Sequence, residues 1–251
     1  MELTGVFVPL VTPLDESDSV DLDRVDTIVE SMLAAGVHGI VACGTTGEGY
    51  SLSLDERREV TSRIHDVVAG SVPVLGAIGG MSTGQALEHA AVASHLRLDG
   101  LMLAAPAYSL PTPTELAHHV STVVAAAGLP TVLYDYPQRT GVPFSFDTLD
   151  QLASNPLIVG IKEASGDLTR PGEITRRYAG AIDVVCGADA AIVEFLDSGT
   201  QCWIGGITNL LASEAQFADV IHNDLFSECH IIPVGTADPQ RAMRAADRLP
   251  I

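Results

Sequence analysis

Short β-branched or apolar runs alternate along this chain with longer amphipathic stretches, and that alternation constrains its fold more than any other feature. Runs with strand character fall at 5–10, 39–42, 73–78, 100–103, 130–134, 158–162, 183–186 and 201–204. Near-continuous apolar character suits parallel strands buried on both faces, joined by crossover helices. Helical patterns occupy the intervals, near 23–35, 54–69, 82–96, 114–127, 145–153, 167–178, 190–196 and 210–224. Ser82, Thr114 and Ser145 stand where a side chain can accept the unsatisfied amides of a first helical turn. Eight βα units predict an α/β fold closed into a (β/α)8, or TIM, barrel, with an open doubly wound sheet as the alternative. A weak internal echo favours closure: Ala35 to Val41 resembles Leu96 to Met102, each a helix end feeding a strand. The 251 residues suit one barrel domain spanning 1–251, with 225–251 as a C-terminal helical extension.

Composition removes several classes of function. The formal charge of -19 repels nucleic acid and anionic membrane surfaces, so neither is an expected partner. No apolar run approaches the roughly 20 residues of a membrane-spanning helix. The start, Met1 to Leu10, lacks a basic segment ahead of an apolar one, and a cytoplasmic home is the expectation. Cys43, Cys186, Cys202 and Cys229 lie far apart, as buried free thiols do. His118 and His119 are adjacent and would point in different directions on a helix, so no metal site is expected.

In such a barrel, chemistry is available only at the C-terminal ends of strands and in the loops that follow. Those positions hold Thr45 and Thr46 after the second strand, Tyr108 after the fourth, Tyr134 and Arg139 around the end of the fifth, and Lys162 at the end of the sixth. Lys162 is the only lysine in the chain, and it follows the buried run Leu157 to Ile161. Burial disfavours an ammonium, so the amine either pairs with a carboxylate or becomes a neutral nucleophile towards carbonyls. Glu163 is the nearest acid in sequence, but adjacent strand residues point to opposite faces. The Tyr134 hydroxyl can move protons in the same space. Thr45 and Thr46, between glycines, offer amides and hydroxyls to a carboxylate, and Arg139 offers a planar fork to a second one.

Three motifs together resemble the dihydrodipicolinate synthase / N-acetylneuraminate lyase family. They are Gly44-Thr45-Thr46-Gly47-Glu48, Tyr134-Asp135-Tyr136-Pro137-Gln138-Arg139-Thr140-Gly141, and Gly160-Ile161-Lys162-Glu163-Ala164-Ser165-Gly166-Asp167. The resemblance runs from Met1 to about Asn209 and implies the barrel fold and a class I lyase. It implies that Lys162 forms a Schiff base with pyruvate or a related 2-oxo acid, without metal or organic cofactor. Tyr134 would then be the general acid/base, and Thr45 with Tyr108 would complete a hydroxyl relay, Tyr108 entering a neighbouring subunit's site. Thr46 would hold the 2-oxo acid carboxylate, Gly187 and Ile204 would line the pocket, and Arg139 would bind the carboxylate of the aldehyde partner, aspartate semialdehyde.

Departures from the family pattern qualify the substrate. Ala107-Tyr108-Ser109-Leu110-Pro111 replaces a segment that usually carries two tyrosines and an Asn-Lys-Pro, and Asp135 stands where Asn is usual. These leave room for an aldolase of 2-keto-3-deoxy sugar acids or an N-acetylneuraminate lyase-like enzyme. Gln85 and Ala107 stand where the family's lysine-feedback pocket has an acid and a tyrosine, so inhibition by free lysine is not expected. The helix ahead of 226–234 looks shortened and the chain stops at Ile251, which favours a homodimer over a homotetramer. Two rivals remain: a barrel binding a phosphorylated ligand at Gly205-Gly206, and an idle relative acting as a binding protein.

Overall fold

The computed structural model describes residues 1–211, the side chain of Leu211 excepted. Its strands are β1 (Gly5–Pro9), β2 (Gly39–Ala42), β3 (Val74–Ile78), β4 (Gly100–Ala104), β5 (Thr131–Asp135), β6 (Ile158–Glu163), β7 (Asp183–Cys186) and β8 (Cys202–Ile204). All pair in parallel in chain order, and β8 returns to β1 through Gly5 opposite Cys202, closing the barrel. The open sheet is excluded. Between the strands lie α1 (Leu22–Ala34), α2 (Leu54–Val68), α3 (Thr83–Leu96), α4 (Pro113–Ala127), α5 (Pro137–Thr140), α6 (Phe146–Leu152), α7 (Arg170–Arg177) and α8 (Ile192–Asp197), with α9 (Thr208–Leu211) after β8.

Strand alternation divides the apolar residues into two cores. Phe7, Val41, Met102, Val132, Cys202 and Ile204 fill the barrel, while Val6, Val8, Ile40, Leu133, Ile161 and Trp203 face the surrounding helices. Each large aliphatic group so buried contributes roughly 1.5–3 kcal/mol. Close packing inside depends on glycine: a Cβ at Gly39 would lie 2.2 Å from the Phe7 ring.

The helices begin where capping chemistry allows. Ser82 and Ser145 cap α3 and α6 as expected. Thr114 does not cap; Thr112 does, with Glu115 completing a capping box, because Pro113 at the first helical position needs no amide partner. α7 starts at Arg170 rather than 167, because Asp167 turns its carboxylate onto the amide and hydroxyl of Thr169. The short α5 was not expected.

Cys43, Cys186 and Cys202 are buried and free. Among the described residues no helix is long and apolar enough to cross a membrane. Most of the helix expected at 210–224, the extension at 225–251, and Cys229 lie outside the described residues.

Candidate active site

Lys162 is the fifth residue of β6, and the alternation that sends Ile161 outward sends it into the mouth of the barrel. It is 5% exposed, and its Nζ lies 4.1 Å from the centre of the Tyr134 ring. Tyr134 stands directly opposite Lys162 in the β5–β6 register, so the ladder itself brings amine and phenol together. Loss of hydration lowers the Lys162 pKa from 10.5 to about 8, opposed by the negative potential of Asp189 and by Cys186 and Cys202. Among the described residues no carboxylate pairs with Lys162. Glu163 points away from it and is bound to Arg170 at 2.7 Å, so the structural ion pair that could have explained the lysine is absent. Gly187, after β7, is pressed against the lysine stem: a Cβ there would come within 2.9 Å of Lys162 Cγ.

Tyr134 is held protonated. Burial is the main cause raising its pKa and Tyr136 adds to it, while a hydrogen bond with Thr45 and the charge of Arg139 act the other way. A neutral phenol over a readily deprotonated amine is a proton donor beside a nucleophile.

The loop after β2 brings up the threonines. Cys43 and Glu48 take the left-handed backbone conformation, φ 53° and 50°, and bend the segment over the barrel mouth. Its anchor is Arg57 of α2, a buried guanidinium that donates to the carbonyls of Gly49 (2.6 Å), Cys43 (3.5 Å) and Ala77 (2.5 Å). Thr45 is exposed and reaches Tyr134; Thr46 is half-buried, with its Oγ1 3.5 Å from where a Cβ on Gly206 would stand. Ile204 is fully buried at the end of β8, and Arg139 on α5 is exposed with its guanidinium 5.9 Å from the Tyr136 ring centre. Tyr108 does not join this group within one chain. It is 86% exposed, holds a φ of 68°, and its side chain makes no hydrogen bond or ring contact among the described residues.

Three groups escaped sequence reasoning: Arg57, Asp189 and Arg170. Asp189 accepts from Trp203 Nε1 at 3.1 Å and from the Ile207 amide at 3.1 Å. Its carboxylate thus occupies one of the amides beside Gly205-Gly206 that an anion could use. Arg170, at the start of α7, binds both Glu163 and Asp135. Among the described residues no three metal-ligating side chains converge.

An eight-stranded parallel barrel with one desolvated amine at the end of its sixth strand, and a protonated phenol over it, defines a class I lyase that works through a Schiff base. Residues 2–230 match the Dihydrodipicolinate synthetase family, and the chain belongs to that family. It is 36% identical to the 4-hydroxy-tetrahydrodipicolinate synthase of Thioalkalivibrio sulfidiphilus over 95% of this chain and 88% of that protein. The synthase of Natronomonas pharaonis is 38% identical over 79% of this chain and 68% of its own length. Among solved structures, a chloride-inhibited dihydrodipicolinate synthase from Acinetobacter baumannii complexed with pyruvate superposes with a TM-score of 0.81 at 32% identity, covering 98% of this chain and 89% of the other.

Proposed function

We propose that this chain condenses pyruvate with aspartate semialdehyde, as a 4-hydroxy-tetrahydrodipicolinate synthase does, through an imine on Lys162. The observation that carries the reading is the lone lysine of the chain, buried without a carboxylate and set 4.1 Å from the Tyr134 ring. Neutral Nζ attacks C2 of the 2-oxo acid, and Tyr134 gives its proton to the departing hydroxyl as water leaves. The Tyr134 phenolate then takes a proton from the methyl group, converting the imine to an enamine, whose carbon forms the new bond to the aldehyde carbon. The resulting alkoxide takes a proton back through Tyr134 and Thr45. The amine of the bound product then displaces Lys162 from the imine, closing the ring and freeing the lysine for another turn. Thr46, with Gly187 and Ile204 around it, holds the pyruvate carboxylate; Arg139, free of any carboxylate partner among the described residues, binds that of the aldehyde.

Tyr108 completes the relay from a second copy of the chain, so the active species is a homodimer or homotetramer. Its exposure together with a backbone conformation costly for tyrosine supports this, since surrounding contacts are needed to hold such strain. A fully active monomer in size-exclusion chromatography would contradict it. A cytoplasmic enzyme needing no added cofactor is part of the same reading.

A second reading, aldol cleavage of a 2-keto-3-deoxy sugar acid, draws on Asp135 and on the 107–111 segment. The experiment is intact-mass spectrometry after pyruvate and borohydride, beside Lys162→Ala, followed by turnover with each aldehyde. A pyruvyl adduct trapped only in the native protein, with turnover when aspartate semialdehyde is supplied in place of borohydride, is the expected result. An adduct together with turnover of only the sugar-derived aldehyde would select the second reading, and no adduct would sink both.

A further inference from the structure

The last two rungs of the β5–β6 ladder are Tyr134 opposite Lys162 and Asp135 opposite Glu163. Alternation turns the first pair into the barrel mouth and the second outward, beneath α7. Both outward carboxylates meet one guanidinium. Arg170 Nε donates to Glu163 Oε2 at 2.7 Å and Nη2 donates to Asp135 Oδ2 at 2.8 Å, with a further bond from Nη2 to the Phe144 carbonyl. The other carboxylate oxygens are also occupied: the Phe144 amide donates to Asp135 Oδ1 at 3.2 Å and the Ser165 amide to Glu163 Oε1 at 2.6 Å. Asp135 and Glu163 are 0% and 1% exposed.

Two buried carboxylates on one cation are a poor way to stabilise a fold. Burial, and then the charge of Glu163, push Asp135 up to about 6 in spite of Arg170. Apolar residues of similar volume commonly do as well or better for stability alone. What the arrangement supplies is geometry: a planar fork spanning two strands and the Phe144 backbone fixes how β5 and β6 lie relative to each other, one residue beyond the reacting pair. We infer that Arg170 is a positioning residue, clamping Asp135 and Glu163 so that the Tyr134 phenol stays registered over the Lys162 amine during imine formation.

The inference rests on Lys162 being the imine-forming residue, and its test separates the two claims. Arg170→Lys keeps the charge but offers a point donor that cannot span both carboxylates. The triple variant R170M/D135N/E163Q removes all three charges at similar volume, so that no lone carboxylate is left buried. For each folded protein, established by thermal melt, the rate of borohydride-trapped pyruvyl adduct is measured against pyruvate concentration. The expected result is a rate at saturation about tenfold to a hundredfold below the native protein, with the half-saturating pyruvate changed less than about threefold. A saturating rate equal to native in either folded variant, or a loss confined to pyruvate affinity, overturns the inference. Failure of the native protein to trap pyruvate would instead overturn the role of Lys162, and the clamp with it.

Discussion

Replacing Lys162 with methionine should stabilise the protein while abolishing its chemistry. The folded state holds this amine at about 8 against an ordinary 10.5. At about 1.4 kcal/mol per pH unit, that gap represents about 3 kcal/mol against folding at pH 7, where the ammonium is present in both states. That folded pKa already contains the attraction of the ammonium to the Tyr134 ring, so Lys162→Met should gain about 3 kcal/mol at pH 7. The sign of the pH dependence follows from a depressed cation. The penalty is complete below the folded pKa of about 8, shrinks as pH rises from there, and is gone above the ordinary 10.5. By pH 10 the gain should fall below about 1 kcal/mol. Urea unfolding followed by the fluorescence of Trp203, the one tryptophan, measures both values. A methionine variant no more stable than the native protein at pH 7, or one whose advantage is the same at pH 10, would refute the claim that the lysine is kept at a cost in stability.

Imine formation requires the unprotonated amine, so its rate should climb about tenfold per pH unit below about 8 and level off above; a climb continuing past 10 would show an ordinary lysine. Gly187→Ala places a methyl 2.9 Å from Lys162 Cγ and 2.8 Å from the Glu163 carbonyl, and should cut pyruvate trapping at least tenfold while costing about 1–3 kcal/mol of stability, read from trapping kinetics and urea melts. Millimolar free lysine should leave the pyruvate-dependent rate unchanged, because Gln85 is neutral and already accepts from the Met81 amide at 2.8 Å, and Ala107 has no polar side-chain group to offer an effector; a falling rate in a steady-state assay would contradict this.

Much of this protein was legible before any coordinates because its fold depends on two local periodicities. The eight apolar runs are short, and each is buried on both faces, so their spacing alone placed every strand to within a residue or two at either end. The site was legible for a compositional reason: a chain with twelve arginines and one lysine draws attention to where the lysine stands. The inward direction of Lys162 and the outward direction of Glu163 follow from strand alternation, and the bond from Glu163 to Arg170 agrees with it. Cap placement was less secure, since Thr112 and Thr114 both precede plausible helix and only Pro113 between them decides which one caps.

The groups missed have a common physical character: each acts through partners distant in sequence and on different elements. Arg57 serves carbonyls on β3 and the β2 loop, and Asp189 serves a β8 indole and the amide of Ile207. Arg170 joins residues of β5 and β6 that lie 35 and 7 positions away. No periodicity marks such residues, because a charged side chain at the start of a helix is unremarkable until its partners are placed. One signal was nevertheless present. Asp135 stood where the resembled family has Asn, and a carboxylate in a buried strand requires a counter-charge from somewhere in the chain. With the only lysine committed to the barrel mouth, that counter-charge had to be an arginine, and the arginine found there binds the strand of the phenol to the strand of the amine.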